Sequence, residues 1–318
     1  MSFLDILQIS APVFMVLVTG FAVRRMKLLT EEADHTLLRL TINLFYPSLL
    51  LDLIVGNEAL LRWEYLLLPP LLGFLTVAAG FGISWLAGRL AGLRPGNVHR
   101  TFAFSCGLQN YGYLALPIAY ALFGRETAAV LLGYNLGTEI AYWGLGLMVL
   151  TGDWNAAGLR KAVNVPVLSL LAALGLNLAG AGNWMPGWID QTYTMLGYCA
   201  VPVALLLTGA LFADYSQPGH FLENKRIFGV ALLVRLGIMP LLFLAIAAAL
   251  PGESHLREVL IVQGAMPAAV APLAVARFYG GDVPTGFKVI LGTTLAGFVT
   301  VPFWLYTGLR WLGISLGN

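Results

Sequence analysis

Apolar residues run along this chain in long blocks, and polar residues are confined to short stretches between them. Cutting at those stretches leaves ten blocks of span length. They cover Phe3–Val23, Leu37–Val55, Tyr65–Ala87, Thr101–Phe123, Thr127–Leu150, Val165–Ala179, Gln191–Phe212, Ile227–Leu250, Val259–Tyr279 and Phe287–Leu309. A helix needs about 20 predominantly apolar residues to cross the hydrocarbon core of a bilayer. The pattern therefore predicts an all-α integral membrane protein of ten transmembrane helices. No connecting stretch is long enough to fold as a soluble domain of its own. The first block carries Asp5 in place of a basic start, and Arg24, Arg25 and Lys27 follow it at once. It reads as an uncleaved span rather than a signal peptide.

The blocks also repeat. Pro47 and Pro202 are 155 residues apart, and so are Pro117 and Pro272. In that register Leu116-Pro117-Ile118-Ala119 lies over Ala271-Pro272-Leu273-Ala274, and Phe123 over Phe278. Pro12 pairs with Pro166 and Gly20 with Gly175, at offsets of 154 and 155, while Pro70 and Pro240 pair at 170. The expected organisation is thus two five-helix halves, residues 1–150 and 151–318. Five is odd, so the halves would lie in the membrane with opposite topology, as in secondary transporters.

Composition sharpens the picture by what it lacks. Only 11% of residues are charged against 58% hydrophobic, and the net charge is +2. A nucleic-acid-binding footprint is excluded on that balance. Thirteen of the eighteen basic residues, Arg160 and Lys161 among them, fall on one side of the predicted topology. The positive-inside rule then puts both termini on the outer side of a bacterial-type inner (plasma) membrane. His35, His99, His220 and His255 fall in or beside loops and read as solvated, without metal-ligand spacing. Cys106 and Cys199 read as small packing residues. No cofactor or catalytic motif stands out, which argues against an enzyme.

Candidate chemistry concentrates in the fourth and ninth blocks. The fourth holds Gly107-Leu108-Gln109-Asn110-Tyr111-Gly112 ahead of Pro117, and the ninth holds Gln263, Pro267 and Pro272. A proline in a helix interior costs about 3 kcal/mol or more, so both blocks are expected to be interrupted. Broken backbone at membrane depth must be buried in protein or line a watered cavity. Matched interruptions point to a substrate site, where half-helix N-termini favour an anion. The substrate-binding candidates are Gln109, Asn110, Gly112, Pro117, Asn135, Gln263, Pro267 and Pro272. Two ionisable residues lie inside blocks, Glu139 and Arg235. They are either functional, with Arg235 meeting the anion and Glu139 relaying protons, or a buried structural ion pair.

Asn110-Tyr111-Gly112-Tyr113-Leu114-Ala115-Leu116-Pro117, followed by Phe123-Gly124, resembles the fourth-span signature of the auxin efflux carrier (AEC) family. Arg24–Leu29 with Asn43 and Pro47 is similar to the same family, and the resemblance covers essentially the whole chain. It implies a fold like bile-acid transporters and sodium/proton antiporters, with helices 4 and 9 broken and crossing. It also implies a scaffold of helices 1, 2, 6 and 7 and an elevator-like core of helices 3, 4, 5, 8, 9 and 10. Asn110, Pro117 and Pro272 match the family's crossover positions, whereas the ninth block lacks a crossover asparagine. The implied substrate is a small organic anion, a carboxylate such as malate or malonate or an auxin-like acid. Proton or sodium coupling and a homodimer through the scaffold are compatible with the resemblance. A passive anion channel and a sodium-coupled bile-acid-like symporter are the rival readings.

Overall fold

The computed structural model describes residues 2–154, 163–215, 225–250 and 255–314. Arg160, Lys161 and His220 lie outside the described residues. The chain is all-helical there, apart from one isolated bridge between extended segments. Among the described residues, seven helices are long and apolar enough to cross a membrane: α1 (Phe3–Arg25), α2 (Glu31–Ile54), α3 (Trp63–Leu90), α5 (Ala115–Thr151), α7 (Gly187–Tyr215), α8 (Lys225–Ala249) and α11 (Val283–Leu312). Shorter helices are α4 (Asn97–Gly107), α6 (Val165–Leu178), α9 (His255–Ala265) and α10 (Ala271–Phe278). The protein is a multi-pass membrane protein.

Packing follows from where small residues and prolines fall. Helix α1 lies along α7, and α2 packs on α6 and α7. Helix α3 packs on α4 and α5, while α9 packs on α5, α8 and α11. Little apolar driving force separates helix from lipid, so close backbone approach has to hold such pairs. Gly20 and Gly209 supply it between α1 and α7, and Gly73 and Gly137 between α3 and α5. Inside the range of α5, Gly124 has φ 81° and ψ −170° and kinks the helix there. A side chain is strained at that φ, which glycine adopts freely.

Prolines also explain two of the three wide turns of π-helix, at Thr41–Phe45, Tyr142–Gly146 and Val234–Ile238. The first lies just ahead of Pro47 and the third just ahead of Pro240. A proline cannot donate to the carbonyl four residues back and crowds it, and a locally widened turn relieves both problems. The carbonyl freed by Pro240 belongs to Leu236, and Trp304 Nε1 of α11 donates to it at 2.7 Å.

The loop histidines divide three ways. His35 is exposed as expected. His99 is instead buried, its Nε2 2.8 Å from the Trp85 carbonyl and its ring against the Trp85 indole. His255 is half-buried at the start of α9. It lies 3.0 Å from Glu126 and 3.2 Å from Glu258, with the Thr127 hydroxyl 2.8 Å from Nδ1. This cluster ties α9 to the stretch of α5 beyond the kink. Its hydrogen bond to Glu258 raises the His255 pKa above the ordinary histidine value, against the opposing effect of burial.

A raised folded-state pKa gives stabilisation that is complete below the unfolded value, about 6.5, and is lost as pH rises through the folded value. Thermal stability is therefore expected to fall above about pH 6.5 in the native chain and to flatten in His255→Gln. Melting curves from pH 5.5 to 8.5 check it. Equal slopes in the two proteins would deny His255 the role.

Candidate functional site

The two interrupted blocks meet. After Gly107 the chain leaves helix α4 and runs extended through Leu108–Asn110, and it resumes helix at Ala115. After Ala265 it does the same, resuming at Ala271. The extended stretches cross antiparallel. Asn110 N–H donates to the Pro267 carbonyl at 2.8 Å, and Ala269 N–H donates to the Leu108 carbonyl at 2.9 Å. The Ala268 N–H is taken by Thr293 Oγ1 of α11 at 3.1 Å. Backbone groups that lipid could not satisfy are thus paired within protein.

The breaks do not lie at the prolines, as an interior-proline argument expects. Pro117 occupies the first turn of α5, and Pro272 is the second residue of α10. A first-turn proline gives up an N–H that has no helical partner anyway, so it starts a helix rather than breaking one. Pro267 sits in the crossing itself and contributes its carbonyl. What ends α4 and α9 is the exchange of backbone bonds between the two extended segments.

Behind the crossing lies a fully packed amide network. Gln263 Nε2 donates to the Tyr111 carbonyl at 3.3 Å and to Asn135 Oδ1 at 3.1 Å. Asn135 Nδ2 donates to the same Tyr111 carbonyl at 3.1 Å. Gln109 Nε2 reaches the Tyr134 hydroxyl at 3.3 Å, and Tyr134 also bonds Thr76 of α3. Gln109, Asn135 and Gln263, read from sequence as substrate ligands, all join this network, while Gln109 Oε1 and Gln263 Oε1 have no partner among the described residues. The network locks α3, α5 and α9 around the crossing.

In front lies a cavity of about 90 Å³. One wall is Asn110, Tyr111, Gly112 and Tyr113, with Glu139 from α5 and Ala269–Ala271 leading into α10. The facing wall is Ile42 and Tyr46 of α2 and Pro166 of α6. Of the sequence candidates, Asn110, Gly112 and Glu139 line this space. The Asn110 side chain has no hydrogen-bond partner among the described residues, so its amide is left for the cavity. Glu139 accepts from the Tyr111 hydroxyl at 2.6 Å and from Trp143 Nε1 at 3.0 Å. Tyr46, Tyr111 and Tyr113 were not singled out from sequence. The Tyr111-Gly112-Tyr113 triplet was the available signal, whereas nothing marks Tyr46.

Arg235 is elsewhere. It sits within the π-helical turn of α8, fully buried, and no ion pair joins it to Glu139 among the described residues. The structural-pair alternative for these two residues is therefore not what the fold builds. A position inside an apolar block says nothing about which way each side chain faces.

A family profile described as membrane transport protein matches the chain over residues 5–157 and 154–305, nearly its whole length. The chain belongs to this auxin efflux carrier-like family of membrane transport proteins. Its relatives include an uncharacterized transporter of Methanothermobacter thermautotrophicus, 26% identical over 92% of this chain and 95% of the relative. The uncharacterized transporter YfdV of Escherichia coli K12 is 21% identical over 93% and 95%. The uncharacterized transporter MJ1031 of Methanocaldococcus jannaschii is 22% identical over 92% and 95%.

Proposed function

We propose that this AEC-family member is a secondary carrier of a small organic anion, and that it couples the anion to a proton taken up by Glu139. The observation that carries the reading is the cavity, where the Glu139 carboxylate, the Asn110 amide and the segments leading into α5 and α10 face one small space. The first residues of α5 and α10 have no side-chain caps. The Ala115 and Leu116 N–H groups donate to the Asn110 and Gly112 carbonyls, and Pro117 and Pro272 carry none, so it is the helix dipoles that favour a carboxylate group. Glu139 in its ionised form would repel the same group, so protonation of Glu139 and anion binding assist each other. Proton symport follows from that coupling.

The architecture we propose is ten spans in two inverted five-helix halves. It is supported by the recurring offset of 155 and by the helix starts at both Leu116-Pro117 and Ala271-Pro272. Packing of α1, α2, α6 and α7 with one another supports a scaffold, and the remaining helices would form the moving core. Because the cavity lies between those two groups, sliding one past the other would carry its contents across the membrane. The proposed setting is an inner (plasma) membrane with both termini outside, and a homodimer joined through the scaffold.

Proteoliposome uptake of a panel of labelled mono- and dicarboxylates and indole acids tests the reading. Saturable uptake that is stimulated by substrate on the opposite side is expected for at least one of them. An imposed pH gradient should accelerate it in the native chain and have no effect on Glu139→Gln. Linear, unstimulated flux would instead assign a passive channel. Stimulated uptake that follows a sodium gradient and ignores pH would overturn the proton coupling.

A further inference from the structure

Arg235 poses a problem that the transport cavity does not solve. Its side chain is fully buried, and Nε, Nη1 and Nη2 all lack a hydrogen-bond partner among the described residues. A guanidinium does not deprotonate in proteins, so the charge is permanent. Its electrostatic neighbours are the Cys106 thiol and the Tyr134 hydroxyl, both neutral. Tyr134 is already engaged by Thr76 and Gln109. The Leu236 carbonyl in the same turn is occupied by Trp304. No carboxylate forms an ion pair with Arg235 among the described residues.

The Ser84 hydroxyl of α3 is buried without a partner, and it lies beside the Cys106 thiol that neighbours Arg235. The guanidinium fork and the Ser84 hydroxyl offer hydrogen-bond donors and one positive charge, whereas the Cys106 thiol donates to the Ala231 carbonyl at 3.9 Å. Water could satisfy the donors but not the charge, and an uncompensated charge is not stable in a membrane interior. An anion satisfies both.

We propose that Arg235, with Ser84, binds a small monovalent anion in the protein interior, at a site separate from the Glu139 cavity. Chloride and the carboxylate of a one-carbon acid share the required chemistry. Such an anion neutralises the charge of the α3–α4–α8 packing, so its first effect is on stability. This site does not depend on the carrier reading, because none of its residues lines the cavity.

Thermal unfolding of the purified chain in detergent tests it, with sodium chloride and sodium formate titrated against sodium gluconate at equal ionic strength. Binding to the folded state alone raises the transition in a saturable way. A saturable rise of several degrees with chloride or formate is expected, with none from gluconate. The rise should vanish in Arg235→Met and persist in Asn110→Ala and Glu139→Gln. A response to formate alone assigns the site to carboxylates, and a response to chloride alone to halides. Should Arg235→Met fail to fold, bromide-soaked crystals of the native chain decide, with anomalous density expected beside the guanidinium. Three results would overturn the proposal: a response no different from gluconate, an equal response in Arg235→Met, or bromide density confined to the Glu139 cavity.

Discussion

Replacing Asn110 by alanine is expected to lower saturable carboxylate uptake by about 10- to 100-fold while leaving the thermal transition nearly where it was. The two halves of this expectation come from different parts of the residue. Its backbone is structural, since the N–H closes the crossing on the Pro267 carbonyl. Alanine keeps that bond. Its side chain has no internal partner among the described residues, so removing it breaks nothing that holds the fold. What is lost is a hydrogen bond to a charged ligand, worth about 1.5–3 kcal/mol. At about 1.4 kcal/mol per factor of ten, that gives the stated range. Asn110→Asp is a sharper variant of the same experiment. It keeps the shape but sets a second carboxylate near Glu139, and it should bind anions more weakly than alanine does. Native uptake by Asn110→Ala, with native stability, would remove Asn110 from the substrate site.

Much of this was legible in the chain before any coordinates, for a physical reason. A bilayer demands long apolar helices, so hydrophobic runs report spans such as Phe3–Val23 almost directly. Exceptions to that demand report function, which is why Asn110 and Glu139 stood out and both line the cavity. The limits are equally physical. Pro117 and Pro272 were read as helix breakers, but a proline has opposite effects at an interior and at a first-turn position. Sequence alone does not say which position it occupies. Gln109, Asn135 and Gln263 have the right chemistry for a ligand, yet an amide serves a neighbouring carbonyl equally well. Only three-dimensional register decides that Gln263 meets Tyr111. Tyr46 and Pro166 were not marked as cavity residues because the cavity forms between segments distant in sequence. Of the two alternatives for Glu139 and Arg235, the ion pair is not formed among the described residues, because a position inside an apolar block does not encode which way a side chain faces.

The largest effect on folding is expected from Gly137, two residues from Asn135 and from Glu139. A Cβ at this position would lie 1.7 Å from the Pro70 carbonyl oxygen and 2.6 Å from its carbon. Both atoms are backbone, so no rotamer change relieves the clash, and α3 must move away from α5. Overpacking of a tight interior typically costs about 1–3 kcal/mol when side chains can adjust. Here they cannot, and Gly137→Ala is expected to exceed that range. The chain should then give little monodisperse protein in detergent. Gly133→Ala is the control from the same helix, because its Cβ would stand 3.7 Å from the nearest atom, an ordinary contact. That variant should purify and unfold like the native chain. The contrast carries a functional consequence as well. Gly73 closes the same helix pair on the Tyr134 carbonyl, so α5 is clamped to α3 on both sides of the stretch that bears Asn135. Separating the helices would pull Asn135 from the Tyr111 carbonyl and shift Glu139 from the Tyr111 hydroxyl. Any Gly137→Ala protein that does fold should therefore lose the pH dependence of uptake along with its rate. Native yield and native transport in Gly137→Ala would mean that α3 and α5 are not held this close in the membrane.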